Sequence, residues 1–289
     1  MAPDDHQDTS TVTHHVGLIG YPVEHSLSPA MHNAAFTHLG LEYRYVLLPT
    51  PPSELERRVR ECVERGFAGW NVTVPHKEGM ARMLDEMSDE VKATGACNTV
   101  LVEGGKLQGF NTDTIGFIRG LEEAGGISAG SKAVVLGAGG AARGVAWALR
   151  QAGHRVIILS RKPEQAREVA EAIGVEAGLL DAETLEGELE VAQLLVNCTP
   201  AGMWPHVEES PVPDGARIPA NMLVYDLVYR PRPTLMLRKA AEAGCRTQNG
   251  LAMLVYQGAA AFEIWTGRPA PIEMMRRACV RGEGLGVRG

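Results

Sequence analysis

An apolar run from Lys132 to Leu136 leads straight into Gly137-Ala138-Gly139-Gly140-Ala141-Ala142, and no other stretch of the chain restricts its fold so tightly. A helical run to Gln151 follows, and then a second apolar stretch from Arg155 to Leu159. Strand, GxGxxA turn, helix and second strand at this distance make the opening βαβ unit of a dinucleotide-binding sheet, whose glycines let the backbone approach a pyrophosphate. The end of the second strand selects the cofactor. Where an acid would receive the ribose hydroxyls of NAD, the chain carries Ser160-Arg161-Lys162. Arginine can hold a 2′-phosphate through two hydrogen bonds, so NADP is expected, with Gly137, Ala138, Gly139, Gly140, Ala141, Ser160, Arg161 and Lys162 as its contacts.

A second stretch, Asn71-Val72-Thr73-Val74-Pro75-His76-Lys77, carries different chemistry. Trp70, Val72 and Val74 alternate with Asn71 and Thr73, which predicts a short strand that buries the apolar three and turns the amide and hydroxyl the other way. Pro75 ends the strand. Met80, Met83, Leu84 and Met87 follow at helical spacing, placing Lys77 in the first turn of a helix. The helix dipole disfavours an ammonium there, so a carboxylate partner is expected. Taken alone, the stretch reads first as a solvated surface lysine after a buried strand, since most lysines are exposed. Asp113, in Asn111-Thr112-Asp113-Thr114 ahead of Ile115, Phe117, Ile118 and Leu121, opens another helix, a position the dipole favours for any carboxylate.

The other elements keep a strand-helix-strand-helix rhythm, which implies mainly parallel sheets covered on both faces. Val16 to Ile19 and Tyr43 to Leu48 read as strands, and Glu54 to Arg65 as an amphipathic helix. Ser28 before Pro29 is a helix-start signal, with Ser28 as N-cap and Gly40 as the stop. Capping leaves Ser26 unexplained, and two hydroxyls beside a helix start also suit a carboxylate or phosphate. Ala96 to Val102, on which Asn98 lies, and Lys106 to Phe110 flank the hairpin signal Glu103-Gly104-Gly105. Gln193 to Val196 ends in the loop from Asn197 to Met203. Leu223 to Val228 is a strand, a helix runs from about Thr234 to Gly244, and Asn249-Gly250 introduces a long helix containing Gln257.

With 289 residues, two domains are expected. A net charge of -7 without a basic stripe argues against nucleic acid as a partner. Five scattered cysteines without a CxxC pair fit the reduced thiols of a cytoplasmic protein, and the histidines show no metal-ligand spacing. No run of ~18 apolar residues suggests a membrane span. Residues 1–15, polar and acidic at the start, read as a disordered tail.

In order along the chain, HSLSP at 25–29, NVTVPHK at 71–77, GACNT at 95–99, GFNTDTIGF at 109–117, GAGGAARG at 137–144, NCTPAGM at 197–203, YDLVYRPRPT at 225–234 and NGLAMLVYQG at 249–258 resemble the shikimate dehydrogenases. The resemblance runs from Val16 to about Pro269. It implies an α/β protein with a Rossmann-type NADP domain over 113–249 and a separate α/β substrate domain, its sheet mainly parallel, over 16–112 and 250–289. The implied activity is reversible NADPH-dependent reduction of 3-dehydroshikimate to shikimate, in the pathway to the aromatic amino acids, by a monomer or homodimer acting on a small molecule. Lys77 and Asp113 match the family's catalytic pair. Ser26, Ser28 and Tyr229 match its contacts to the substrate carboxylate, and Asn71, Thr73, Asn98 and Gln257 those to the ring and its hydroxyls. Thr199, Leu227 and Gly250 join the glycine loop and Ser160-Arg161 as cofactor contacts.

Three positions depart from the family: Ser160-Arg161-Lys162 for a common Asn-Arg-Thr, Asn249 for a frequent aspartate, and Cys97 for a usual valine. Two alternatives stay open at this point. One is a quinate/shikimate dehydrogenase using NAD, the other a non-catalytic NADP-sensing protein on the same scaffold.

Overall fold

Apolar and β-branched residues collect in two separate sets of strands, and each set forms its own six-stranded sheet in a computed structural model that describes residues 13–284. The first set comprises β1 (His14–Gly20), α1 (Ser28–Leu39), β2 (Tyr43–Pro49), α2 (Leu55–Glu64), β3 (Gly69–Val72), α3 (Lys77–Ala81), β4 (Glu86–Met87), α4 (Asp89–Thr94), β5 (Thr99–Glu103) and β6 (Lys106–Phe110). Its strand order is β2-β1-β3-β5-β6-β4. β1 lies parallel to β2 and β3, β4 parallel to β6, and β5 antiparallel to both of its neighbours. The antiparallel step comes from the expected hairpin, in which Glu103 pairs with Lys106 across Gly104-Gly105, both at positive φ.

Next come α5 (Asp113–Glu123), β7 (Lys132–Leu136), α6 (Gly140–Gln151), β8 (Arg155–Ser160), α7 (Pro163–Ile173), β9 (Glu176–Leu179) and α8 (Ala182–Leu189). β10 (Ala192–Asn197), β11 (Leu223–Asp226), α9 (Leu235–Glu242), β12 (Arg246–Gln248), α10 (Leu251–Thr266) and α11 (Ile272–Gly284) complete the chain. The second sheet, β12-β11-β10-β7-β8-β9, is parallel at every pairing. Its order reverses between β7 and β10, the switch point at which doubly wound sheets bind ligands.

After the second sheet the chain returns to the first. Val255, Phe262 and Trp265 of α10 and Met275 of α11 are buried against Val16, Met31 and Phe36, and the Phe36 and Phe262 rings lie 5.2 Å apart. Trp265 also donates its indole N–H to the Val100 carbonyl at 2.9 Å. α5 crosses α10 so closely that a Cβ on Gly116 would stand 2.7 Å from the Gln257 Cβ. Phe117 and Leu121 of α5 pack in the core of the second sheet and Val255 and Phe262 of α10 in that of the first, so this crossing ties the two halves together.

The local structure differs from the sequence reading at six places. Leu27, not Ser28, is the N-cap of α1, and no side chain caps that helix. α3 stops at Ala81. Beyond it, Asp85 accepts the Leu107 amide at 2.7 Å and its own amide donates to the Leu107 carbonyl, so pairing with β6 overrides the helical spacing of Met83, Leu84 and Met87. Val74 is 68% exposed, because the chain turns after β3 with the His76 amide donating back to Thr73. Asn98 sits one residue before β5, and β11 ends at Asp226 rather than Val228. The expected tail lies outside the described residues as far as residue 12, while His14 and His15 already pair with Tyr43 and Arg44 in β1.

Removing the ring that fastens α10 to the first sheet should be costly. Phe262→Ala is expected to destabilise this half by about 3–5 kcal/mol, read as a lowered urea midpoint in the fluorescence of Trp70 and Trp265.

Candidate active site

Lys77, the first residue of α3, and Asp113, the first residue of α5, arrive from different elements and meet beside the first turns of α6. Lys77 Nζ donates to Asp113 Oδ2 at 2.5 Å, with side-chain exposures of 13% and 8%, so this is a largely desolvated pair rather than a surface ion pair. α3 is only five residues long, so its dipole is that of little more than one turn, and the carboxylate is the dominant charge facing the lysine.

A directed hydrogen-bond network orients the carboxylate. Asn98 Nδ2 donates to Asp113 Oδ1 at 2.8 Å, and Asn98 Oδ1 accepts the Thr112 amide at 2.7 Å. A carboxylate can only accept and an amide N–H can only donate, so the Asn98 amide has one possible orientation. Thr99 Oγ1 donates to Asn98 Oδ1 at 3.0 Å and accepts from Asn71 Nδ2 at 3.0 Å. Asn71 Nδ2 also donates to the Asn98 carbonyl at 3.2 Å, and its Oδ1 accepts the Tyr45 hydroxyl at 2.9 Å.

The other expected substrate contacts have local partners of their own. Ser26 Oγ lies 3.2 Å from Ser28 Oγ and accepts the Ser28 amide, so the pair forms a local turn at the start of α1. Thr73 follows β3 directly, and Tyr229 reaches from the second half onto the apolar cluster of the first. Gln257 stands beside Gly116 on α10, with its amide donating to the Leu254 carbonyl at 2.9 Å rather than to the Lys77–Asp113 network.

The cofactor candidates gather at the switch point. Gly137 has φ +104°, outside the range most residues adopt, and a Cβ there would meet Thr199 Cγ2 at 2.9 Å, so the loops after β7 and β10 touch. Gly139 caps α6 without a side-chain bond and would meet nothing within 4 Å if it carried a Cβ. Open space in front of uncapped first-turn amides suits a pyrophosphate. Ser160 ends β8 with its Oγ accepting the Lys162 amide, and Arg161 is exposed beyond it, as a 2′-phosphate would need. Gly250 approaches Leu227 so closely that a Cβ would fall 1.9 Å from the Leu227 carbonyl oxygen. These residues fit NADP.

The two halves of the site touch. A Cβ on Gly140 would lie 3.2 Å from the Cβ and Cδ of Lys77, and one on Gly144 3.7 Å from the Asp113 Cβ. Arg143 of α6 also reaches across, its Nε 3.7 Å from Glu78 and its terminal nitrogen 3.0 Å from Glu168.

Three functional features lie outside what the sequence signals. Tyr45 shows nothing there beyond an apolar strand position. His76 is buried, with its Nε2 2.7 Å from the Thr50 carbonyl, so it anchors the turn ahead of Lys77. Asp226 lies inside a recognised motif without an assigned role. It is fully buried, and its Oδ1 accepts from Asn197 Nδ2 and the Val228 amide while its Oδ2 accepts from the Thr234 hydroxyl at 2.7 Å. Asn197 Oδ1 in turn accepts from the amide and hydroxyl of Thr199, so Asp226 ties together the loops that carry Thr199, Leu227 and Tyr229.

The unusual positions have local explanations. Asn249 Oδ1 accepts the Leu251 amide at 2.9 Å, a local turn ahead of α10 that an aspartate would make equally well. Cys97 is buried, its thiol pushed up to about 12 chiefly by burial, which makes it a packing residue. Cys62, Cys97, Cys198 and Cys245 carry free thiols.

A parallel sheet with an open glycine cradle at its switch point, facing a desolvated lysine–carboxylate pair, defines a nicotinamide-dependent dehydrogenase. Comparison with known proteins narrows the class. Three family models match: the shikimate dehydrogenase substrate binding domain over residues 18–100, shikimate / quinate 5-dehydrogenase over 122–233, and the shikimate 5'-dehydrogenase C-terminal domain over 250–279. Shikimate dehydrogenase (NADP(+)) of Methanopyrus kandleri is 47% identical over 274 residues, covering 92% of this chain and 94% of its own length. The counterpart from Moorella thermoacetica is 48% identical over 270 residues, 91% of each chain. The crystal structure of shikimate 5-dehydrogenase from Thermus thermophilus in complex with NADP(H) and shikimate matches with a TM-score of 0.85 at 43% identity, covering 93% of this chain and 99% of that one. The chain belongs to the shikimate dehydrogenase family.

The environment of Asp226 makes a testable statement about stability. Burial raises its carboxyl from 3.8 to about 6, against the pull of its hydrogen bonds to Thr234, Val228 and Asn197. The fold therefore prefers the protonated acid, and the contribution of Asp226 to stability falls as pH rises from about 4 to about 6. Asp226→Asn carries no charge, so its stability relative to the parent chain should improve by up to about 3 kcal/mol between pH 4 and pH 7 in urea titrations.

Proposed function

We propose that this chain catalyses the reversible NADPH-dependent reduction of 3-dehydroshikimate to shikimate, in the pathway to chorismate and the aromatic amino acids. The observation that carries the reading is the Lys77–Asp113 pair set against the Gly140 turn of a cofactor cradle. Substrate would lie in the cleft with its carboxylate toward Ser26, Ser28 and Tyr229 and its ring hydroxyls toward Asn71, Thr73, Asn98 and Gln257. The first-turn amides of α6 would hold the pyrophosphate, Arg161 the 2′-phosphate, and Thr199, Leu227 and Gly250 would border the nicotinamide half. NADP lets a hydride be exchanged with the carbon that bears the reacting oxygen.

The chain's own residues handle the proton. In the reducing direction Lys77 donates a proton from Nζ to the carbonyl oxygen, and in the oxidising direction it takes it back. An ammonium has three donors and Asp113 occupies one, leaving donors for the substrate oxygen. Asp113, fixed between Lys77 and Asn98, holds the ammonium on line. Substrate-domain boundaries at 16–112 and 250–289, with the cofactor domain at 113–249, accord with the two sheets and with the return of α10 and α11 to the first. A cytoplasmic monomer or homodimer completes the proposal.

Initial rates for shikimate and quinate, each with NADP and NAD, test it directly. Shikimate with NADP should be fastest by a wide margin. Fastest turnover of quinate with NAD would replace the reading by a quinate/shikimate dehydrogenase, and oxidation of no pair would point to a non-catalytic NADP-binding protein. Lys77→Ala should lower kcat by about 10²–10⁴-fold. A rise in KM alone would make Lys77 a binding residue.

A further inference from the structure

Tyr45 is 2% exposed and sits at the middle of β2, away from every motif that marks the site in the sequence. It is nevertheless held from several sides at once. Its amide donates to Asn33 Oδ1 at 2.8 Å and its carbonyl accepts Asn33 Nδ2 at 3.0 Å, so α1 grips its backbone at both polar groups. Its ring stacks on His32 at 4.5 Å with an interplanar angle of 1°, and Trp265 stands 6.1 Å away. His32 is itself fully buried, and neither of its ring nitrogens has a hydrogen-bond partner among the described residues. Burial lowers that imidazole to about 3, which leaves a neutral flat plate against the phenol. Burial likewise pushes the Tyr45 phenol up, with the Ser28 hydroxyl acting in the opposite sense, so the hydroxyl stays protonated and remains a donor.

The acceptor of that donor matters. Both protons of Asn71 Nδ2 are used, one on the Asn98 carbonyl and one on Thr99 Oγ1. One lone pair of Asn71 Oδ1 takes the Tyr45 hydroxyl, leaving the amide a single remaining capacity, the other lone pair of Oδ1. We infer that Tyr45 is a positioning residue for substrate binding: by fixing Asn71 it presents that amide to the substrate as a hydrogen-bond acceptor for a ring hydroxyl. The inference rests on the functional reading given above. It extends that reading by adding a residue outside the motifs and by assigning Asn71 the role of acceptor rather than donor.

Tyr45→Phe keeps the stacked ring and removes only the hydroxyl. In the full chain it should raise KM for shikimate about 3–10-fold, the value of one neutral hydrogen bond, while KM for NADP and the melting temperature hold. In an Asn71→Ala background the same change should add less than about twofold, because the group it positions is gone. An unchanged shikimate KM, a parallel rise in KM for NADP, or a full effect surviving in the Asn71→Ala background would each overturn the inference. A melting temperature that falls with KM unchanged would assign Tyr45 to folding alone, with the same result. Failure of the unaltered chain to oxidise shikimate would sink the functional reading and this inference with it, and that outcome is read before any variant is made.

Discussion

The Asp113 carboxylate can only accept hydrogen bonds, and most of the site follows from how that demand is met. One oxygen takes the Lys77 ammonium and the other takes the Asn98 amide. Asn98 is then forced to point its carbonyl oxygen at the Thr112 amide, one residue before Asp113 itself. The loop ahead of β5 and the first turn of α5 therefore close on each other, and Lys77 is aimed by groups with no second way to pair. A desolvated pair held in this way would be an expensive arrangement for stability alone, since replacing such pairs by apolar residues is often neutral or favourable. Its cost is understandable where a proton has to be delivered to one atom.

A second hub of the same kind organises the other wall. Asp226 takes three donors from three places, and the loops it gathers carry Thr199, Leu227 and Tyr229. The two buried acids thus divide the cleft, one fixing the proton donor and one fixing the loops at the switch point. Each hub lies where a strand gives way to a loop or helix, the zone in which open α/β sheets place their ligands.

The sequence makes some of this legible and hides the rest for identifiable reasons. β7, the glycine turn and α6 are plain because dinucleotide binding demands a local pattern, and the structure places β7 over the residues that pattern predicts. Lys77 and Asp113 are recognisable as helix-opening residues, since strand-proline-helix and Asn-Thr-Asp before an apolar run are both short-range signals. Ser28 misleads because serine before proline is a capping pattern, whereas its hydroxyl here faces Ser26. The helical spacing beyond Lys77 overreaches because β6 claims Asp85 through a contact 22 residues distant. Tyr45 and Asp226 are invisible as site residues because their importance lies in what they hold, and an alternating strand looks the same whichever face its tyrosine serves. Residues 163–189, which carry no motif, form α7, β9 and α8: β9 is an edge strand of the second sheet, and α7 and α8 pack on its opposite faces.

The contact between Gly140 and the Lys77 stem has a practical meaning for anyone who would exchange the cofactor loop. A methyl group at 140 would press on the stem at 3.2 Å and push it back by a few tenths of an ångström, while the ammonium is held 2.5 Å from its carboxylate. Gly140, a variable position inside the GxGxxA fingerprint, is thus also part of the proton donor's seat. A loop transplanted from another dinucleotide enzyme with a larger residue at this position would grip its nucleotide and still transfer protons poorly, and screening such grafts by nucleotide affinity alone would select the wrong ones.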